Sequence, residues 1–239
     1  MKISVCIPMY NEAAVIAGTA KTLSDYMEKT FGAGNYEIIF SNDGSTDGCD
    51  RIVRELGLPG VRVVGYEKNQ GKGCAVRTAL LASEGDVAMF TDADLAYGTD
   101  VILRLYETFE ANPDSGLVIG SRNLSEDGYA EYTFLRRIAS KVYIKVLCLA
   151  GGFRLSDSQC GCKGFRHEAI QQIFPRCEVN GFAFDFEAIL WANKLGIPIT
   201  EMPVTILYHG ASKVHVVRDT FRMLRDLVKM RRRISKAEI

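Results

Sequence analysis

The chain has no apolar run approaching the roughly 18 residues that a bilayer-spanning helix needs. Its longest uninterrupted stretches, such as Val146 to Ala150 and Val87 to Phe90, fall far short, so any membrane contact is expected at the surface. Net charge is missing too. Twenty-nine basic residues balance 29 acidic ones, leaving no global field to recruit nucleic acid, and none is expected as a partner. The first residues carry neither the basic n-region nor the apolar h-region of a secretory signal, and the seven cysteines are an odd number. Reduced thiols in a cytosolic compartment are therefore expected, not a disulfide framework. No internal repeat, low-complexity stretch or linker interrupts the sequence. The 239 residues, 47% hydrophobic and 24% charged, suit one large α/β domain and are too few for two.

Over the first half, apolar runs of four to six residues alternate with helical-period segments, the pattern of βαβ units and a mostly parallel sheet. Strands are expected at Ile3 to Pro8, Glu37 to Phe40, Val61 to Tyr66 and Val87 to Phe90. Helices follow from an N-cap at Asn11 to about Phe31, from near Thr46 to Gly57, and from Gly73 through Leu81. The second half is less regular. A strand at Leu117 to Gly120 precedes a polar loop, Ser121 to Tyr132, and a helix carrying Leu135, Ile138, Val142, Val146 and Leu149 that Gly151-Gly152 ends. Further strands are expected at Cys162 to Phe165 and within Ile199 to Tyr208, and further helices from Phe184 to Leu195 and from Val216 to Arg233. The division expected is a domain over 1–215 and a basic amphipathic helix over 216–239, packed on the domain or on a membrane.

Polar residues crowd the strand exits, and in open α/β sheets the carboxyl ends of the strands face the ligand crevice. Asp92 and Asp94 leave a strand as alternate residues, so both carboxylates can bend toward one hard divalent cation, Mg²⁺ or Mn²⁺, or serve a solvated turn. Asp43, in Asn42-Asp43-Gly44-Ser45-Thr46-Asp47-Gly48, suits either a nucleobase N–H or a capping turn. Lys72 and Arg77 suit a phosphate or a wet helix face. Arg136, Arg137, Ser140 and Lys141 head an apolar helix, as a wet face or as a site for an anion carried on something greasy. His209 to Lys213 reads as a hinge or as a lid bringing Lys213 to a diphosphate. Cys160 and Cys162 are too close and too few for zinc and read as buried thiols. On the last helix, Val217, Phe221, Leu224 and Val228 form an apolar stripe flanked by Arg218, Arg222, Arg225 and Lys229 and closed by Arg231 to Arg233. The stripe either docks on the core or lies among lipid headgroups; the density of cations favours the second.

Taken together, Pro8 to Glu12, Asn42 to Asp47, Gly71-Lys72-Gly73 through Arg77, Asp92-Ala93-Asp94, Gly120-Ser121-Arg122, Arg136-Arg137, Asp157 to Gly161, Phe182 to Glu187 and Gly210 to Lys213 resemble, in order and spacing, a family-2 glycosyltransferase of the GT-A fold. The chain looks most like the polyprenyl-phosphate sugar transferases, which include dolichyl-phosphate mannose synthases and dolichyl-phosphate β-glucosyltransferases. The forms at Gly71 to Arg77 and Gly210 to Lys213 lean toward the glucosyl branch. Asn42 stands where many relatives carry a second aspartate, and the tail shows none of the membrane spans that some relatives append.

The resemblance implies a GT-A, Rossmann-like single domain with amphipathic interfacial helices. It implies inverting transfer of a hexose, glucose favoured, from a UDP-sugar to a polyprenyl phosphate, with Mg²⁺ or Mn²⁺, at the cytoplasmic face of a membrane. By that resemblance Pro8, Tyr10, Glu12, Asp43, Lys72, Arg77, Asp92 and Lys213 meet the nucleotide sugar, and Asp92 and Asp94 hold the metal. Arg136, Arg137 and Ser140 grip the acceptor phosphate. Asp94, Asp157, Gln159, Arg136 and Arg137 form the catalytic set, Gln159 facing the sugar. A phosphate acceptor, with a second pKa near 6, arrives as an anion and hardly needs a base. Two rivals stay open: transfer to a sugar hydroxyl, for which Asp157 is the best placed base, and a non-catalytic nucleotide-binding scaffold at a membrane. A sugar-nucleotide pyrophosphorylase would open with a glycine-rich loop after strand one, which Pro8-Met9-Tyr10-Asn11 is not.

Overall fold

A strand with apolar side chains on both faces must be covered on both, and β1 (Ile3–Met9) separates two cores in this way. In the computed structural model, which describes residues 1–125, 144–146, 148–149, 151–152, 154–207 and 216–238, with the side chains of 216–225 excepted, Ile3, Val5, Ile7 and Met9 join one core. Cys6 joins the other. The remaining strands are β2 (Tyr36–Asp43), β3 (Val61–Tyr66), β4 (Val87–Phe90), β5 (Leu117–Ser121), β6 (Lys163–Arg166) and β7 (Ile199–Pro203). They form one sheet in the order β3-β2-β1-β4-β6-β5-β7. All pairings are parallel except those of β6, which runs antiparallel to both β4 and β5.

The helices, in chain order, are α1 (Ile16–Phe31), α2 (Cys49–Glu55), α3 (Lys72–Leu81), α4 (Asp100–Ala111), α5 (His167–Ile173), α6 (Phe184–Lys194) and α7 (Val216–Lys236). Ile16, Ala20, Leu23 and Met27 of α1 and Val101, Ile102, Leu105 and Phe109 of α4 recur at helical spacing and pack on the β1 side of Ile3 and Val5. Val76, Ala79 and Leu80 of α3, Ile170 of α5 and Phe186 and Ile189 of α6 cover the Cys6 side. Leu227, Met230 and Ile234 of α7 join that same core, while Val228 stays 40% exposed. The described end of α7 therefore docks by a stripe other than the one containing Val228. Val217, Phe221 and Leu224 lie outside the residues whose side chains are described.

Several boundaries differ from those read in the sequence. Asn11 does not cap α1: it takes a left-handed φ of 54° and accepts from Thr46 N–H at 2.9 Å, so Val15 and Ile16 turn onto the Glu12 carbonyl before the helix begins. Asp47 takes the N–H groups of Ala13 and Cys49, delaying α2 to Cys49. After Pro203 the chain leaves the ladder, and Leu207 N–H donates to Ala96 O at 2.7 Å. Helices α4 and α5 were not anticipated. The helix expected around Leu135 is described only at its end, where Gly152 at φ +75° closes it with its N–H on Cys148 O at 2.8 Å.

Between α3 and the sheet lies a buried carboxylate. Glu37 accepts from Ser4 Oγ at 2.6 Å, from Glu84 N–H at 2.6 Å and from Arg62 Nε at 3.0 Å. Burial pushes the Glu37 carboxyl up, but these donors outweigh it and hold the group below its usual range. A lowered folded-state pKa stabilises the protein above the unfolded-state value, and that contribution disappears as the carboxylate is protonated. We expect Glu37→Gln to cost about 2 kcal/mol at neutral pH. The gap from the native protein should narrow below about pH 4, as read by denaturant melts across pH.

Candidate active site

The strand order reverses between β1 and β4, which places a crevice beyond their carboxyl ends. Two loops clasp each other on one side of it. Asn11 N–H donates to Ser45 Oγ at 3.0 Å, Asn11 Oδ1 accepts from Thr46 N–H, and Asp47 accepts from Ala13 N–H. This joins the Pro8 to Glu12 motif to the Asn42 to Asp47 motif; Tyr10, 42% exposed, stands on the rim.

Asp43 ends β2 and is buried. Its carboxylate accepts from Tyr66 OH at 2.8 Å, Asn69 Nδ2 at 2.9 Å, Gln70 N–H at 2.8 Å and Gly71 N–H at 3.0 Å. The structure therefore gives Asp43 the task of organising the loop from Tyr66 to Gly71, where the sequence suggested a direct nucleobase contact. Gly71 is held at φ +109°, and a Cβ there would meet Asn180 O at 2.5 Å. Asn180 O also accepts from Gly73 N–H at 2.8 Å and Cys74 N–H at 3.3 Å, so these amides of α3 are already engaged. Arg77 parts company with Lys72: its guanidinium donates to Cys177 O at 3.0 Å and to Asn180 Oδ1 at 2.8 Å. It braces the loop over 177–180 and does not present itself as a phosphate ligand.

Lys72 reaches the Asp92 carboxylate, Nζ to Oδ1 at 2.5 Å. Burial disfavours the ammonium, but Asp92 outweighs it and raises the Lys72 pKa. Asp94 is exposed at the rim; partial desolvation and next the neighbouring Asp92 charge raise its pKa, against one N–H from Ala96 at 3.0 Å. The backbone between the two carboxylates is pinned by Thr19 Oγ1 on Ala93 O at 2.7 Å. Leu95 follows at φ 51°; with Asn11 it is one of two non-glycine residues of positive φ among the described residues, and both flank the crevice. Two repelling hard-oxygen groups that share one ammonium fit a divalent cation.

The segment Asp157 to Gly161 arrives at the same place. A Cβ on Gly161 would lie 2.8 Å from Asp92 Oδ2, and Gly161 N–H donates to Tyr97 OH at 3.1 Å. Asp157 is fully buried and gripped by Arg122, Nε to Oδ2 at 2.6 Å and Nη2 to Oδ1 at 3.0 Å. It also accepts from Gln159 N–H at 3.1 Å. This bidentate, buried pairing makes Asp157 the anchor of the turn in the structure. Glu201 holds the preceding turn through Ser156 N–H at 2.8 Å and Ser156 Oγ at 2.7 Å.

Sequence reasoning missed a second ion pair behind Asp92. Lys163 is fully buried on β6 and donates to Asp185 Oδ1 at 2.9 Å and to Cys160 O at 2.7 Å. Burial raises Asp185, with Lys163 and then Lys72 opposing. The signal was a lysine inside an apolar strand and an aspartate inside Phe184-Asp185-Phe186. Cys160 and Cys162 are buried thiols, as expected. Arg136, Arg137, Ser140, Lys141 and Lys213 lie outside the described residues.

The family model for glycosyl transferase family 2 matches residues 4–174. The chain belongs to glycosyl transferase family 2, as its motifs implied. Dolichyl-phosphate beta-glucosyltransferase of Dictyostelium discoideum is 32% identical over 96% of this chain and 73% of its own length. The Homo sapiens protein of that name is 29% identical over 97% of this chain and 75% of its own. Glucosyl-3-phosphoglycerate synthase from Mycobacterium tuberculosis, crystallised with Mn²⁺, UDP and glucosyl-3-phosphoglycerate, superposes with a TM-score of 0.70 at 19% identity. The superposition covers 100% of this chain and 81% of that one, and it shows the shared α/β fold.

Breaking a buried ion pair on one side costs about 3–5 kcal/mol. Asp157→Asn is therefore expected to lower stability by that order in equilibrium denaturation, with Arg122→Ala similar. A base would instead show normal stability and lost turnover.

Proposed function

We propose that this chain transfers glucose from UDP-glucose to the phosphate of a polyprenyl phosphate, with inversion. The observation that carries the reading is the commitment of Asp157 to Arg122. A sugar-hydroxyl acceptor needs a free carboxylate base, whereas a phosphate is already an anion at neutral pH. The names of the relatives, dolichyl-phosphate beta-glucosyltransferases, support the same acceptor and sugar. A scaffold has no use for two neighbouring carboxylates at a strand exit that share one lysine.

Asp92 and Asp94 would hold Mg²⁺ or Mn²⁺, which supplies neutralisation of the departing diphosphate. Lys72, already facing Asp92, adds charge from the chain itself. The clasped loops at Tyr10, Glu12 and Asn42 to Asp47, with the Tyr66 to Gly71 loop that Asp43 organises, form the nucleotide side of the crevice. Gln159, on the segment that abuts Asp92, belongs to the sugar side. Arg136, Arg137 and Ser140 bind the acceptor phosphate, and Lys213 closes on the diphosphate. The protein's work is positioning and charge neutralisation, not proton abstraction.

The test is incubation with UDP- and GDP-sugars, Mg²⁺ or Mn²⁺, and either a short polyprenyl phosphate or an oligosaccharide. Glucose on the lipid is expected. Asp94→Asn should cut turnover by about 10²-fold or more with stability unchanged. Product on the oligosaccharide alone would overturn the reading.

A peripheral membrane contact at the cytoplasmic face belongs to the proposal. Among the described residues no helix is long and apolar enough to cross a membrane. Leu149 is 81% exposed, and Val146 and Val228 are exposed as well, beside exposed Lys145 and Lys229. A Cβ on Gly152 would lie 2.9 Å from Arg231 Nη2, so the end of the Val146 helix neighbours α7. The protein should co-sediment with anionic vesicles and be released as salt rises. Leu149→Asp should weaken that binding about tenfold; equal partition onto neutral vesicles would remove the electrostatic part.

A further inference from the structure

Arg233, near the end of α7, bridges two carboxylates: Nη1 to Glu178 Oε2 and Nη2 to Glu187 Oε1. Glu187 is fully buried on α6, and its other oxygen accepts from Glu178 N–H at 2.9 Å and Val179 N–H at 2.7 Å. The next residue, Asn180, lies on the first turn of α3. Its carbonyl takes the Gly73 and Cys74 amides, and its side chain takes Arg77. That turn carries Lys72, and Lys72 faces Asp92. Space is short throughout: a Cβ on Gly73 would meet Phe184 Cβ at 2.6 Å and Val179 O at 2.7 Å. A shift of the loop from Cys177 to Gly181 therefore moves the α3 turn with it.

We propose that Arg233 is a positioning residue for the donor site: by clamping Glu178 to Glu187 it fixes the loop that sets Lys72 against Asp92. The inference rests on the donor reading of that crevice. It ties the last turns of the chain, remote in sequence, to nucleotide binding. Guanidinium geometry matters here, because one group must satisfy two carboxylates through separate N–H donors.

The experiment measures UDP binding to the full chain by titration calorimetry with Mn²⁺, melting temperature, and kcat and KM for UDP-glucose. Arg233→Ala should weaken UDP about tenfold and raise KM in proportion, while kcat at saturating donor stays within about twofold. Arg232→Ala, one residue away and exposed, should leave UDP binding unchanged. Because Arg233→Ala strands a buried charge, the double variant Arg233→Ala/Glu187→Gln is the second arm. It removes that charge without restoring the clamp, so stability should return while UDP affinity stays low. If the native protein fails to bind UDP with Mn²⁺, the donor reading itself falls. If the native protein and Arg233→Ala bind alike, if Arg232→Ala is equally impaired, or if the double variant recovers affinity together with stability, the positioning role is overturned.

Discussion

A carboxylate taken out of water must be met by donors, or it costs several kcal/mol, and this constraint shapes both ends of the sheet. Each buried acid recruits a segment distant in sequence. Glu37 draws in Arg62 and the turn before β4, Asp43 draws in the loop from Tyr66 to Gly71, and Asp157 draws in Arg122. Asp185 takes Lys163, and the half-buried Glu201 takes the turn at Ser156 in the same way. Hydrophobic burial builds the two cores, but it is not directional. The directional bonds to these acids decide where the loops stop.

Two carboxylates escape this pattern. Asp92 has a lysine, and Asp94 has one backbone N–H within its own turn. Asp94 is exposed and Asp92 half-buried, so neither bears the full cost of leaving water.

The parallel half of the fold is legible because continuous apolar runs of four to six residues, turn residues and helical spacing agree with one another from Ile3 to Phe90. The site's location followed from Asp92-Ala93-Asp94 and Asn42 to Asp47 falling at strand exits. The roles of single residues were less legible. For Asp43 and Arg77 the sequence leaves a ligand contact and a capping or wet-face role side by side, because spacing shows which loop a residue occupies and not which donors reach it. The sequence cannot announce that Arg122 meets Asp157, or that Lys163, in a strand of otherwise apolar character, meets Asp185. Asn11 looked like a helix cap because its alternative partner, Thr46, lies on another loop. Helix α4 was simply passed over, although Val101, Ile102, Leu105 and Phe109 carry a helical period.

Strand β6 runs against its neighbours, so the chain leaves β5 and enters β6 at one and the same edge. The excursion between them is tied off at its base: Arg122 holds Asp157, Ser121 Oγ lies 2.5 Å from Ser156 Oγ, and Asn123 binds the Ser156 carbonyl. A loop closed at its neck pays closure entropy that grows only slowly with length. Ile144 and Cys148 return from the excursion to the core that also holds Leu117 and Phe165. The two strands are thereby held in register by polar contacts at the neck itself, independent of the length of chain that separates them in sequence.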